Sequence, residues 1–262
     1  MRELERDSLP SPLSAANPLV VVGRGRVGGS LVKTAELARI PVRHVASDEP
    51  VEGAGAALIC VPDDSIGEVC SRLAPSGAPL VGHVSGASTL DVLSPAAERG
   101  AAVFSVHPLQ TFADAETPVE GTPAAIAGSD DRATDFARSL AEALGMRPFE
   151  VSEESRAAYH AAAAIASNLL VALEESAAEL LDRIGVDQGR ELLAPLVLRT
   201  AANWAERGPA ALTGPIARGD RATVQRHRVA LAESAPEHVR MYDALAMRAE
   251  AIAWDAVHGE SS

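Results

Sequence analysis

From Leu19 to Ser30 the chain reads LVVVGRGRVGGS: a short apolar run, then Gly23, Gly25 and Gly28 at GxGxxG spacing, then a helix-like stretch to Arg39. A strand that turns sharply into a helix N-terminus presents free backbone N–H groups and partial positive charge, which is how a dinucleotide pyrophosphate is held. In such a turn Gly23 allows the tight bend, Gly25 lets the backbone approach the phosphates, and Gly28 lets the helix pack closely on the sheet. Arg24, Arg26 and Val27 share the turn and join the glycines as candidate cofactor-binding residues.

The first half of the chain continues as alternating strands and helices. Short apolar runs at Val42–Ser47, Ala56–Val61, Pro79–His83, Ala101–Val106, Pro123–Ala127 and Met146–Val151 read as strands. Helical stretches follow Asp64 and Ser88 and cover Asp130–Leu144. Strands alternating with helices predict parallel pairing with right-handed crossovers, hence a doubly wound parallel sheet of α/β class, Rossmann-like. From Ser152 the pattern changes to long, alanine-rich helical segments with no strand signal, so an all-α domain is expected to follow. The predicted division is a loose tail over 1–17, a dinucleotide-binding domain over 18–151 and a helical substrate and dimerisation domain over 152–262. Within the last, one helix is expected over Glu154–Ile184 with Gly185 as its C-cap. A second is expected over Asp187–Arg207, kinked or broken at Pro195, and a third capped by Asp220, with Pro236 opening the last. The stretch GPIARGD, 214–220, is too rich in Gly and Pro to be read as helix.

Composition narrows the partners. A net charge of −13 offers no basic stripe for phosphate neutralisation, against a nucleic-acid partner. Cys60 and Cys70 are the only cysteines, so no disulfide framework is expected and a reducing cytoplasm fits. No apolar run approaching the roughly 20 residues of a bilayer span is read, and the N-terminal stretch does not resemble a signal peptide.

Ligands of a doubly wound sheet bind at the carboxyl ends of its strands, and against a helical partner domain they lie in a cleft. Polar residues concentrate at those ends. Ser47 follows the second strand, Val61-Pro62 the third, and His83, Ser85 and Gly86 the next; His107, Gln110 and Thr111 follow the fifth. Ser47, Val61, Pro62, Ser85 and Gly86 are candidate cofactor contacts, and Gln110 and Thr111 candidate substrate contacts. In the helical half Tyr159-His160 and Asn168 sit on one predicted helix, eight positions and roughly 12 Å apart along its axis. Arg218 and His227 are further candidate substrate ligands; a guanidinium fork suits a carboxylate. A metal site built from His83, His107, His160 and His227 is the alternative, without HxxxH or CxxC spacing behind it.

The segments CVPDDSI, HVSGA, HPLQTF, YHAAA…SN, LTGPIARGD and TVQRH, in this order, resemble the Rossmann-like proteins with a C-terminal DUF 2520-type domain, over about Leu19 to Ala246. More distantly the layout resembles ketopantoate reductase, pyrroline-5-carboxylate reductase and the deazaflavin-dependent NADP reductases. In ketopantoate reductases the helix opening the second domain carries a catalytic lysine, with asparagines four and eight residues on. His160 stands here at the lysine position, Ala164 at the first asparagine and Asn168 at the second. That departure argues against the ketopantoate reaction, while a histidine can still protonate an alkoxide or amine.

These readings converge on an NAD(P)-dependent oxidoreductase reducing a small keto or imino substrate, with a non-catalytic dinucleotide-binding sensor or scaffold as the alternative. His160 is the candidate proton donor or acceptor, Asn168 the substrate anchor and His107 a further catalytic candidate. With the second strand ending near Ser47 and with Arg24 and Arg43 close by, NADP is favoured; Asp48, one residue on, would instead serve the ribose of NAD. A homodimer through the helical domain is expected.

Overall fold

In the computed structural model, residues 10–73 and 76–258 are described. Seven strands, β1 (Leu19–Val22), β2 (Val42–Val45), β3 (Ala56–Ile59), β4 (Leu80–His83), β5 (Ala102–Pro108), β6 (Pro123–Gly128) and β7 (Arg147–Glu150), form one sheet in the order β2-β1-β3-β4-β5-β6-β7. The apolar runs are near-continuous because both faces are covered. Leu19, Val21, Leu58, Leu80, Phe104 and Ile126 enter one core cluster, and the alternate residues Val20, Val22, Ile59, Val81 and Val103 enter the other. Helices α1 (Arg26–Leu37) and α4 (Asp131–Ala143) cover the first face; α2 (Ile66–Leu73) and the short α3 (Ser94–Ala97) cover the second.

The doubly wound, mostly parallel sheet agrees with the sequence reading except at one step: β6 pairs antiparallel with β5, and β7 then runs parallel to β6. A parallel crossover needs a dozen or more residues and usually a helix. The connection from Leu109 to Thr122 contains no helix, so the chain folds back directly. The stretch expected to be a loose tail is packed where it is described: Leu13 is buried in the first core cluster, its N–H bonded to the Pro10 carbonyl. Residues 1–9 of that tail lie outside the described residues.

The described chain forms two compact units, the first running to Ile165 and the second starting at Ala166. The division between these units falls within the stretch expected to be one helix. That stretch forms α5 (Arg156–Ala166) and α6 (Asn168–Arg183), interrupted at Ser167 (φ −128°, ψ −79°), whose hydroxyl bonds the Asn168 carboxamide oxygen. Ser and Asn side chains offer hydrogen bonds that compete with regular helix. Contrary to the sequence reading, Glu153–Arg183 is by length and composition apolar enough to cross a membrane, its alanines counting toward that total.

In the second unit α7 (Gly189–Arg207) continues through Pro195, so of the kink or break expected there no break forms. The carbonyl that Pro195 leaves without a donor belongs to Glu191, an exposed residue that water can reach. GPIARGD is partly helical after all: α8 (Gly214–Ala217) has its proline in the first turn, where the missing N–H costs no bond. Asp220 caps α9 (Arg221–Ser234) by accepting from the Thr223 N–H as anticipated, and α10 (Val239–His258) closes the described chain.

Candidate functional site

Strands β1, β3, β4 and β5 are parallel neighbours, so their carboxyl ends lie along one edge. The strand order reverses between β1 and β3, the switch point where such sheets take ligands. The glycine turn sits there. Gly23 has φ +113°, and a Cβ on it would collide with the Cys60 carbonyl; a Cβ on Gly28 would collide with the Gly23 carbonyl. These two glycines close the turn onto the sheet. Gly25 differs: its φ is −79° and a Cβ would meet nothing within 4 Å. It caps α1 without any side-chain hydrogen bond, so the first-turn N–H groups face an open space.

Around the turn, His44 Nε2 lies 3.0 Å from the Gly23 carbonyl and helps hold it. Arg24 is exposed and paired with Glu49 at 3.0 Å. Arg26 is exposed, and Val27 packs against the first core cluster. Arg43 donates to the Glu52 carbonyl, and the Ser47 carbonyl accepts from Arg72. Val61 packs on the second core cluster, and Pro62 precedes a single turn of 3₁₀ helix, Asp63–Ser65.

At the ends of β4 and β5 the structure brings together His83, Ser85, Gly86, His107, Arg156, Tyr159 and His160, all within the first unit. Gly86 threads between two rings: a Cβ there would lie 2.7 Å from His107 Nε2 and 2.9 Å from His160 Cδ2. The two imidazoles stand edge to face, centroids 6.2 Å apart. Tyr159 Oη is 2.6 Å from His107 Nδ1, and its ring also meets Phe149 edge-on at 5.9 Å.

The group that organises this cluster is Arg156, which is wholly buried. Its Nε donates to Glu153 at 3.0 Å, Nη2 to the Ser105 hydroxyl at 2.6 Å and Nη1 to the Ser85 carbonyl at 3.3 Å. Glu153 in turn accepts from the Leu90 N–H at 2.6 Å. The first turn of α5 is thereby tied to β5 and to the loop after β4, which places Tyr159 and His160. The guanidinium is also a fixed positive charge beside the histidines. Burial first, then Arg156, pushes His83 down to about 4. Burial, then His160 and Arg156, pushes His107 down to about 4, against the opposing charge of Asp63. Burial pushes the Tyr159 hydroxyl up to about 12, Arg156 opposing.

The predicted residues separate by what occupies them. His83 is a buried fastening: its Nδ1 accepts the Ser85 N–H at 3.1 Å. The Ser85 hydroxyl caps its own loop, accepting from the Ala87 and Ser88 N–H groups. Gln110 braces the β5–β6 loop, donating to the Pro118 carbonyl and accepting from Thr122; Thr111 beside it is exposed. In the second unit Asn168 and Arg218 are exposed, and His227 is bonded to Tyr242 at 2.9 Å. Among the described residues no three His, Cys, Asp or Glu side chains gather as metal ligands. Sequence reasoning missed Glu153, Arg156 and Ser105 as parts of the site. The spacing Glu153-x-x-Arg156-x-x-Tyr159, one residue per helical turn, was the available signal.

The family profile of the Rossmann-like domain matches residues 21–108, and that of the domain of unknown function DUF2520 matches residues 122–249. No curated protein matches the chain. Among solved structures, a Bacteroides fragilis protein classed provisionally as an NADP oxidoreductase superposes with TM-score 0.76 at 22% identity, over 90% of this chain and 99% of that one. A Thermotoga maritima protein gives 0.75 at 25% identity, over 92% and 100%. Pyrroline carboxylate reductase of Plasmodium falciparum, solved with NADP bound, gives 0.58 at 13% identity, over 92% and 99%. The fold is thus one shared with dinucleotide-binding reductases.

Proposed function

We propose that this chain, a Rossmann-like domain followed by a DUF2520 domain, is a nicotinamide-dependent reductase of a small keto or imino substrate. The observation that carries the reading is the pairing, on one sheet edge, of an uncapped helix N-terminus at Gly25 with the His107–His160 pair at the ends of β4 and β5. Three strand spacings of about 4.8 Å separate β1 from β5, roughly 14 Å. The turn Gly23–Gly28 would hold the pyrophosphate, and Ser47, Val61, Pro62, Ser85 and Gly86 line the edge along which the rest of a dinucleotide would run. When bound, the nicotinamide supplies the hydride. NADP is the favoured form: Arg24, exposed beside the turn, can turn from Glu49 to a 2′-phosphate, as the NADP of the Plasmodium enzyme also suggests. His160 is assigned as proton donor.

Oxidation of NADPH, followed by absorbance against a panel of small keto and imino acids, tests the reading. Turnover with at least one of them is the expected result. Tight dinucleotide binding without turnover across the panel would instead identify a sensor or scaffold.

We further infer a cytoplasmic homodimer. Both thiols are free and buried. The second unit leaves Leu169, Leu196, Leu198, Trp204, Met247 and Trp254 each more than half exposed, more apolar surface than a monomer keeps in water. Light scattering at micromolar concentration is expected to give twice the 27.1 kDa chain mass; a 27.1 kDa particle would remove this inference.

A further inference from the structure

We propose that His107 works as a neutral hydrogen-bond donor of fixed tautomer, with Tyr159 and Arg156 as the positioning residues that hold it so. The geometry starts at the 2.6 Å contact between Tyr159 Oη and His107 Nδ1. Of the two groups the phenol is the stronger acid and the bare imidazole nitrogen the stronger acceptor, so the hydroxyl donates and Nδ1 carries no hydrogen. The ring proton of neutral His107 is then on Nε2. That nitrogen lies close to Gly86, where a Cβ would come within 2.7 Å of it, so only glycine leaves room beside the ring, and His107 as a whole is half-buried rather than sealed.

Three things keep the arrangement in place. Phe149 backs the Tyr159 ring edge-on. Arg156, on the same helix one turn earlier, is locked by Glu153, Ser85 and Ser105. Its buried charge opposes a second positive charge on His107. The ionisable groups around His107 are Arg156, Tyr159 and His160 on α5, His83 at the end of β4 and Asp63 after β3. Only Asp63 favours the protonated ring, and it is exposed to water. On the reductase reading, on which its catalytic use rests, Nε2–H meets the substrate's carbonyl oxygen or imine nitrogen and polarises it while keeping its proton. Neutral imidazole is suited to this, since it donates a hydrogen bond without a charge to desolvate. His107 and His160 then have separate duties, one polarising and the other supplying the proton.

The test needs neither cofactor nor substrate. In the full chain labelled with ¹⁵N-histidine, long-range proton–nitrogen correlation distinguishes protonated from bare ring nitrogens, and His107→Gln identifies the His107 signals by their loss. The expected result is a bare Nδ1 and a protonated Nε2, unchanged from pH 8 to pH 5.5. In Tyr159→Phe the bare-Nδ1 signal should shift toward a mixture of tautomers, while the signals of His44, held at the Gly23 carbonyl in the same unit, stay put and report an intact fold. A doubly protonated His107 at pH 7, or a proton on Nδ1, overturns the proposal, as does a Tyr159→Phe spectrum with the His107 signals unmoved. Should Tyr159→Phe not fold, the wild-type tautomer and its pH series decide alone. A failed NADPH assay with the predicted tautomer present would count against the reductase reading only.

Discussion

Gly25→Val is expected to abolish NADP binding while the protein keeps its fold. A Cβ at Gly25 would meet nothing within 4 Å and φ is −79°, so the backbone there accepts a side chain. The side chain would occupy the space in front of the α1 N-terminus where the pyrophosphate has to lie, and the first-turn N–H groups could no longer reach it. Calorimetric titration should show wild-type binding, tighter for NADP than for NAD, and none for the variant, with thermal unfolding little changed. Gly28→Ala is the contrasting control. Its Cβ would collide with the Gly23 carbonyl, so the cost falls on stability, about 1–3 kcal/mol for a small overpacking. Unchanged NADP affinity in Gly25→Val would reject the phosphate-binding reading of this turn.

Turnover of the His160→Ala enzyme should fall about 10²–10⁴-fold, the range for losing a general acid or base. NADP affinity should hold, because His160 belongs to the cluster at the ends of β4 and β5 and not to the glycine turn. In this variant His107 loses the opposing charge of His160, but burial and Arg156 still press its imidazole below the ordinary range, against its taking over as a protonated acid. Wild-type turnover in His160→Ala would move the search for the acid elsewhere.

Much of the fold was legible in the chain because its signals are local. The runs at Leu19–Val22 and Ala56–Ile59 are apolar at every position, as strands buried on both faces must be. The glycine turn, the Asp220 cap and the positive φ of Gly185 each depend on a few neighbouring residues. The interruption at Ser167 and the continuity of α7 through Pro195 were not legible because propensity is a weak guide where a single residue decides.

By itself the sequence determined most element types, the glycine turn between β1 and α1 and the strand-end loops where polar residues collect, since these follow from period, turn chemistry and spacing over a few residues. Tertiary structure alone decided the reversed direction of β6, which depends on how a helix-free loop folds back. It also decided which partner each histidine meets. His83 is consumed by the backbone of its own loop, while His107 meets a tyrosine 52 positions away. Arg156, which reads as an ordinary charged residue at a helix start, is buried because Ser105, 51 positions earlier, and the loop after β4 close over it. Burial, fixed charge and hydrogen-bond partners arise from contacts between segments distant in the chain, and no local pattern carries them.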